Sequence, residues 1–355
     1  MPRLRLPNLL RLPTLALALA LASCSKTTTA PSGSTAEARG TPLTGENAFE
    51  TGTLLVWSQA TNEVVGDAKG GGTLGGPGLA AVRTVDGASR LLVTNPSLFP
   101  TLTPDGQQVY YDEITSDSTL LRRRSLGSTS VARITGAAGL NVFSLALSAD
   151  GRYVAYAGPG ADPLERDSIR VLDTVSGQRV TLDPGTPVAF SPDDGTLLVV
   201  AARAGYATVA LSNGAATPVD FGLPAGATVG AVRWDAGGLR VAYTINASEL
   251  HVMTGGGDLL AATLPEAIVP SSPIWSPDGT HLALWTMGPI DGGADTAYRL
   301  YVVSPGAHSA GLVALGRSIG GAIAWSSDGT RLAYLFAGRL FAGSAIAAGI
   351  TTGTR

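Results

Sequence analysis

The chain has 355 residues, of which 45% are hydrophobic and 14% are charged, and its formal net charge is −3 at pH 7. A slightly acidic chain of this kind lacks the basic surface through which proteins bind nucleic acid or anionic lipid by charge alone. The single cysteine excludes a framework of disulfide bonds within the chain.

The N-terminus has the pattern of a secretory signal peptide. Basic residues up to Arg11 precede the apolar run Leu15–Ala22, which is shorter than the roughly 20 residues of a membrane-spanning helix. The sequence Leu21-Ala22-Ser23-Cys24 resembles the lipobox of bacterial lipoproteins, in which the cysteine is lipidated and becomes the mature N-terminus. The resemblance implies that residues 1–23 are removed and that Cys24 anchors the protein to the bacterial cell envelope. Loss of three arginines then takes the formal charge from −3 to −6.

Residues 24–46 are rich in Ser, Thr, Ala, Gly and Pro, a composition that buries too little apolar surface to fold. We expect a flexible tether with a root-mean-square reach of about 25 Å, taking roughly 5–6 Å times the square root of the residue count. Ser25 follows the cysteine, and the resemblance to lipoproteins then implies the outer membrane if the cell has two membranes.

One motif recurs along the rest of the chain. In each copy an aromatic or large apolar residue precedes a Ser/Thr-Pro-Asp-Gly turn, and an apolar strand pattern follows. In this turn, which we call the corner, proline presets φ, aspartate hydrogen-bonds the backbone ahead of it and glycine adopts φ > 0. The copies, of which the first is the most degenerate, are Phe49–Gly52, Leu102–Gly106, Leu147–Gly151, Phe190–Gly195, Trp234–Gly238, Trp275–Gly279 and Trp325–Gly329.

Apolar residues alternate after each corner and predict a second strand, and a third strand follows in every copy. The corner glycines are 41 to 54 residues apart, near the period of about 40–45 residues of four-stranded propeller blades. We therefore predict an all-β fold over residues 47–355, a seven-bladed β-propeller of four-stranded antiparallel blades. Six blades are the alternative, because the first copy has the poorest corner. The predicted third strands are Leu79–Val85, Leu120–Leu126, Ser168–Thr174, Tyr206–Ser212, Glu249–Thr254, Tyr298–Ser304 and Arg339–Gly343.

The corners and strands resemble the TolB-type, WD-like β-propeller repeats of bacterial envelope proteins, most closely at Trp275–Ala283 and Trp325–Tyr334. The resemblance covers nearly all of residues 47–350 and implies the fold rather than an activity. TolB itself resembles a propeller with an added N-terminal α/β domain that partners other envelope proteins. This chain has the tether in that place, so that partnership is not carried over. Similar propellers occur in prolyl-oligopeptidase-like enzymes, but we expect no hydrolase half here, because the repeats cover nearly all of residues 47–350.

The connections between second and third strands vary, whereas the turns at the other end of each predicted blade are short. Four connections are long, and three of the four are acidic: Gln59–Gly78, Asp112–Ser118, Gly158–Asp167 and Met287–Thr296. Variable loops on a rigid scaffold are where binding usually resides. The predicted binding face comprises Asp112, Glu113, Asp162, Glu165, Asp291 and Asp295, and the alternative is that these loops are merely solvated.

The sequence predicts no metal site and no cofactor. His251, His281 and His308 lack the spacing of zinc ligands. The corner aspartates are expected to be satisfied by their own turns rather than to form a ring of ligands, and Trp234, Trp275 and Trp325 are expected to pack between blades. The aspartates are Asp105, Asp150, Asp193, Asp278 and Asp328.

Two classes of function remain. The first is a monomeric, non-enzymatic scaffold that binds an envelope protein or an extracellular polymer and no nucleic acid. The second is a propeller lyase or hydrolase that acts on extracellular polysaccharide or peptide with carboxylates around the central opening. We favour the scaffold, because no catalytic constellation is recognisable in the sequence.

Overall fold

The fold consists of β-strands. The computed structural model describes residues 37–345 apart from 39, 51–53, 96, 104, 115, 117–118, 135–143, 159–167, 192, 202–204, 223–226, 228, 236–239, 255–256, 270–272, 290–295, 308, 317–321 and 337. The described residues form 29 strands and one 3-10 turn, Pro305–Ala307, without an α-helix. Over this part of the chain there is accordingly no helix long and apolar enough to span a membrane.

Each sequence copy corresponds to one unit of antiparallel strands, and we number the units in chain order. The first unit contains β3 (Val56–Ser58), β4 (Glu63–Ala68), β5 (Gly78–Arg83) and β6 (Ser89–Leu91). The second contains β7 (Ser97–Leu102), β8 (Gln108–Ile114), β9 (Thr119–Ser125) and β10 (Val131–Arg133). The third contains β11 (Ser144–Leu147), β12 (Tyr153–Gly158), β13 (Ser168–Asp173) and the start of β14 (Arg179–Phe190). The end of β14 pairs instead with the fourth unit, which continues with β15 (Thr196–Ala201), β16 (Gly205–Ala210) and β17 (Ala216–Pro218).

The remaining units follow the same order. The fifth contains β18 (Val229–Trp234), β19 (Arg240–Ile245), β20 (Glu249–Thr254) and β21 (Gly257–Thr263). The sixth contains β22 (Ala267–Ile268) and β23 (Ile274–Trp275), which both pair β24 (Leu282–Pro289), then β25 (Thr296–Ser304) and β26 (Ser309–Gly316). The seventh contains β27 (Ile323–Trp325), β28 (Arg331–Phe336) and β29 (Arg339–Ser344). The predicted third strands are thereby confirmed, to within two residues at each end, as the third strand of every unit.

The first strands of the units are arranged in a cycle. Along the chain β3 contacts β7, β7 contacts β11, β11 contacts β14, β14 contacts β18 and β18 contacts β23. The Trp325 indole N–H of β27 donates to the carbonyl of Ile274 in β23 at 3.1 Å. β27 in turn contacts β3, which returns the cycle to its start. This closed order of the units agrees with a propeller, and the number of blades stays a prediction.

The first sequence copy was assigned to the wrong residues. A corner at Phe49–Gly52 would put the alternating residues after it, among them Trp57, in a second strand, but Trp57 lies in β3, which pairs β4 as the first strand of the unit. Its true corner is residues 59–62, where Asn62 has φ 53°. The predicted long connection Gln59–Gly78 therefore includes this corner and β4, and the connection between second and third strands is residues 69–77.

The predicted tether extends too far along the chain. Within residues 24–46, Glu37–Ala38 forms β1, which pairs β26 of the sixth unit, and Thr41–Pro42 forms β2, which pairs β29 of the seventh. Phe49 then bridges Ala68 in the first unit. The described part of the seventh unit has three strands of its own, β27, β28 and β29, and β2 pairs the outer edge of β29. The N-terminal segment thus supplies the fourth strand and covers an edge that would otherwise be unpaired.

The core lies between the units rather than within one layer. Apolar clusters join side chains of neighbouring units, such as Trp285 of the sixth with Tyr334 and Phe336 of the seventh. Four tyrosines five positions after their corner glycines are at most 1% exposed, namely Tyr111, Tyr156, Tyr243 and Tyr334. Each unit therefore buries apolar side chains against its neighbour, and this packing stabilises the order of the units.

The Gly279 corner provides a test of how neighbouring units interlock. Gly279 has φ +65°, and an added Cβ would lie 2.2 Å from Nη2 of Arg240 in the fifth unit. Gly177 has φ +73° and no atom within 4 Å of such a Cβ. We expect Gly177→Ala to cost about 1–2 kcal/mol through φ alone. Gly279→Ala should cost roughly 1 kcal/mol more, because Arg240 is displaced from Trp275. Chemical denaturation measures both, and equal losses would contradict the interlock.

Candidate functional site

The corner aspartates are used by their own turns. In the seventh unit, Asp328 Oδ1 accepts hydrogen bonds from the Ser326 hydroxyl at 2.5 Å and the Thr330 N–H at 3.1 Å. The Ser326 hydroxyl oxygen also accepts from the Arg331 N–H at 2.9 Å. The same pattern recurs at Asp105, Asp150, Asp193 and Asp278. Their carboxylates stabilise turns and are not arranged to share a ligand.

These hydrogen bonds make corner stability dependent on pH. The Ser326 hydroxyl and then the Thr330 N–H lower the pKa of Asp328 from 3.8 to about 2. A pKa lowered on folding stabilises the folded state above the ordinary value, and this contribution is lost as the pH falls through the folded value. Asp328→Asn should therefore lower the melting temperature at pH 7, and the difference from wild type should shrink between pH 4 and pH 2. A difference independent of pH would contradict this account.

The tryptophans of the corners connect neighbouring units. The Trp275 indole N–H donates to the carbonyl of Arg233 in the fifth unit at 3.1 Å, as Trp325 does to the sixth. The guanidinium of Arg240 lies 4.8 Å from the ring centroid of Trp275, and that of Arg331 lies 4.8 Å from the ring centroid of Trp57. These contacts agree with the predicted packing role.

The predicted acidic binding face is only partly within the described residues, and its first two members were misplaced. Asp112 and Glu113 lie inside β8, where they pair Leu121 and Leu120, rather than in a loop. Asp112 is 2% exposed. Glu113 accepts a hydrogen bond from the Arg122 Nε at 2.6 Å. Both carboxylates thus belong to the sheet, because β8 continues to Ile114. Asp162, Glu165, Asp291 and Asp295 lie outside the described residues.

A polar network that the sequence did not indicate crosses the fifth unit. The Asp258 carboxylate accepts from the Tyr243 hydroxyl at 2.7 Å and lies 2.7 Å from His251 Nδ1. Because an ionised carboxylate only accepts hydrogen bonds, Nδ1 is the donor in this contact. Glu249 Oε2 lies 3.8 Å from Nε2. Burial, followed by the bond to Asp258, raises the pKa of Tyr243 far above its ordinary value.

Although a Tyr–Asp–His arrangement resembles a catalytic one, its geometry is that of a cross-strand connection. Tyr243 is fully buried, and its raised pKa keeps the phenol protonated at neutral pH. The three residues belong to β19, β20 and β21. They therefore connect three adjacent strands of one sheet, and a strand-pairing register rather than a sequence spacing brings them together.

Arg233 is a second feature that the sequence reading missed. It lies in β18, the first strand of the fifth unit, and its Nη1 donates to the carbonyl of Val232 at 2.8 Å. Burial lowers the pKa of its guanidinium, and the nearby Tyr206 phenol partly offsets this effect. Among the described residues, no carboxylate lies within ion-pair distance of it.

No group of three or more His, Cys, Asp and Glu side chains that could hold a metal ion occurs in the part of the chain that the structure describes. Several of its arginines are paired with carboxylates, such as Arg90 with Glu63 at 2.7 Å and Arg299 with Glu266 at 3.1 Å. These charged side chains form ion pairs within the sheets.

Comparison with known proteins identifies the architecture. No protein-family model matches the chain, and no curated protein sequence matches it. The fold is similar to that of oligogalacturonate lyase from Vibrio parahaemolyticus, with a TM-score of 0.67, 12% identity, and coverage of 85% of this chain and 91% of that one. The chain is a β-propeller. An oligogalacturonate lyase in complex with manganese gives a TM-score of 0.66 at 13% identity, covering 87% of this chain and 94% of that one.

The propeller is also similar to TolB from Acinetobacter baumannii, with a TM-score of 0.52 and 16% identity. The match covers 75% of this chain and spans 63% of the TolB chain. At these identities the similarities establish the fold, and the neighbours include an enzyme, so activity has to be argued from the propeller's own residues.

Proposed function

We propose that this protein is a lipid-anchored bacterial envelope protein whose propeller binds an envelope protein or an extracellular polymer without catalysing a reaction. Support for the anchor comes from the lipobox-like Leu21–Cys24 and the apolar run before it. Support for a binding role comes from the charged groups of the described residues, most of which are engaged within turns and sheets.

The observation that carries the binding role is a difference between the two ends of the propeller. At one end, the corners and the third-to-fourth turns are short. The corners there also contact the neighbouring blade, as the Gly279 corner contacts Arg240. At the other end, the interval between second and third strands varies: β28 ends at Phe336 and β29 begins at Arg339, whereas β12 ends at Gly158 and β13 begins at Ser168. Length variation on a rigid scaffold is typical of a binding face.

A pull-down from detergent-solubilised envelope, with the intact chain as bait, tests this proposal. The bait is compared with a variant that carries Asp162→Asn, Glu165→Gln, Asp291→Asn and Asp295→Asn, the acidic residues that the sequence predicts for that end. Asp86→Asn, an exposed carboxylate in a turn at the opposite end, is the control. We expect the control to retain the partner and the fourfold variant to lose salt-sensitive binding, since exposed charges are screened beyond roughly 10 Å at 0.1 M salt. Equal recovery by all three baits would contradict a binding role for these acidic residues.

The second candidate is a propeller lyase, which is favoured by the similarity to oligogalacturonate lyase. Incubation of the purified chain with oligogalacturonate, with and without manganese, distinguishes the two functions. Turnover above the background of a denatured sample would replace the scaffold proposal by the enzymatic one.

A further inference from the structure

One position of the first strands directly precedes the aromatic or apolar residue before each corner. It is equivalent in all seven blades, because it pairs the same position of the second strand: Arg233 pairs Ala242 as Ile274 pairs Ala283 and Ala324 pairs Ala333. In the other six blades this residue is small or aliphatic, namely Val56, Thr101, Ala146, Ala189, Ile274 and Ala324. Arg233 is the one charged residue in the series.

The fold itself does not require an arginine at this position. Val56, Ile274 and Ala324 belong to, or pack against, the apolar clusters that lie between their own blade and the following one. Arg233 occupies the same register position, and the described neighbours of its guanidinium are the Val232 carbonyl and the Tyr206 phenol of the fourth blade. A charged group in such a place costs desolvation energy unless it is paired.

Most N–H donors of the Arg233 guanidinium have no hydrogen-bond partner among the described residues. Arg122 and Arg240 each have a carboxylate oxygen within hydrogen-bond distance, at 2.6 and 2.9 Å. Arg233 makes one described hydrogen bond, to the neighbouring carbonyl of Val232. An arginine has five N–H donors in a planar fork, so the remaining donors of Arg233 are free of any partner among the described residues.

The backbone that carries Arg233 is held from both sides. The register of β18 against β19 shifts between Val229 and Val232, and the Tyr206 hydroxyl of the fourth blade donates to the carbonyl of Gly230 in this bulge. Trp275 of the sixth blade donates to the carbonyl of Arg233. Bulges frequently re-aim a side chain next to a functional site. The guanidinium is therefore presented by a backbone that two neighbouring blades fix.

We propose that Arg233 binds a carboxylate group of a ligand beside the first strand of the fifth blade. A planar fork matches the two oxygens of a carboxylate, and the interaction is stronger in a partly buried site than in water. One guanidinium neutralises one negative charge, which suits a monoanionic carboxylate better than a phosphate dianion on an acidic protein. The inference goes beyond the proposed partner face, because Arg233 directly precedes a corner and so lies toward the end of the propeller opposite the second-to-third connections. It can be tested without the partner.

The test is the thermal stability of the full chain, kept in detergent, titrated with sodium acetate and with a short glutamate-rich peptide at constant ionic strength set by chloride. Wild type should be stabilised by acetate if free carboxylates are ligands, or by the peptide alone if the source is an acidic side chain of a protein. Either result supports the carboxylate assignment. Arg233→Met should weaken the response about 10- to 100-fold, the loss of one or two charge-assisted hydrogen bonds. The carboxylate response of Arg233→Lys should lie between those of wild type and Arg233→Met, because lysine keeps the charge and lacks the planar fork.

Two controls keep the result interpretable. Without ligand, Arg233→Met should melt at or above the wild-type temperature, since an apolar residue replaces an unpaired charge at an apolar position. Arg122→Met should melt lower, because Glu113 loses its partner, and it should respond to carboxylate as wild type does. An Arg233→Met protein that melts far below wild type, or a wild-type response to phosphate or chloride equal to that to carboxylate, would overturn the proposal. Failure of the pull-down with a positive carboxylate titration would leave Arg233 assigned and remove only the proposed partner face.

Discussion

A chain that lacks residues 1–50 should lose most of its folding stability, whereas a chain that lacks residues 1–35 should melt as the full chain does. The difference is the segment that completes the ring. The Leu43 N–H donates to the Leu340 carbonyl at 2.7 Å, and the Ala48 N–H donates to the Gly338 carbonyl at 3.1 Å. Phe49 is 4% exposed in a cluster with Leu335 and Leu340.

The expected loss is comparable to the stability of a whole domain. Burial of a phenylalanine contributes about 1.5–3 kcal/mol, and each backbone hydrogen bond contributes roughly 1 kcal/mol. The segment therefore supplies on the order of 5 kcal/mol, against a typical total of about 5–15 kcal/mol. Circular dichroism melts of both truncations measure the effect. A chain without residues 1–50 that melts cooperatively at the wild-type temperature would show that the ring closes without this segment.

The second large effect is expected at the membrane. Cys24→Ala should move the protein from the membrane fraction to the soluble fraction, because the proposed lipid is attached at this residue. Each buried methylene contributes about 0.8 kcal/mol to membrane binding, and the two or three acyl chains implied by the resemblance to bacterial lipoproteins make detachment negligible. Ser34→Ala, in the same segment, is the control and should stay with the membrane. Equal membrane retention of Cys24→Ala and wild type would rule out the lipid anchor.

The parts of the fold that follow from local chemistry could be predicted from the sequence. A corner such as Trp275–Gly279 carries its own turn signal, and the strand after it alternates apolar residues, so the sheets and the propeller architecture were accessible. The corner aspartates could be assigned to their turns for the same reason, since their hydrogen bonds span only two residues.

The first copy shows where the turn signal fails. Its corner, residues 59–62, contains no proline, aspartate or glycine, and Asn62 adopts the positive φ. A signal was nevertheless present in the spacing: from Trp57 to Leu102 is 45 residues, the same as from Leu102 to Leu147, whereas the glycine-based register required 54. The period of the repeat was a better guide than the turn chemistry of its weakest copy.

Features that depend on pairing between distant strands were not predictable. Asp112 and Glu113 looked like the start of an acidic loop, and only the length of β8 places them within the sheet. Asp258 meets His251 and Tyr243 through strand register. Arg233 differs from the small or aliphatic residues at the equivalent position of the other blades, but the lack of a carboxylate within ion-pair distance among the described residues depends on how distant strands come together.

The N-terminal segment also has a mechanical consequence. β1 and β2 are the residues nearest the proposed anchor that pair with the propeller, and each strand is two residues long. Tension between the membrane and a bound partner would be applied first to these few hydrogen bonds on β26 and β29. The segment that leads to the proposed anchor is also the segment that pairs with the last two units. We therefore expect a sufficiently strong pull to separate β1 from β26 and β2 from β29 before it disturbs any other blade.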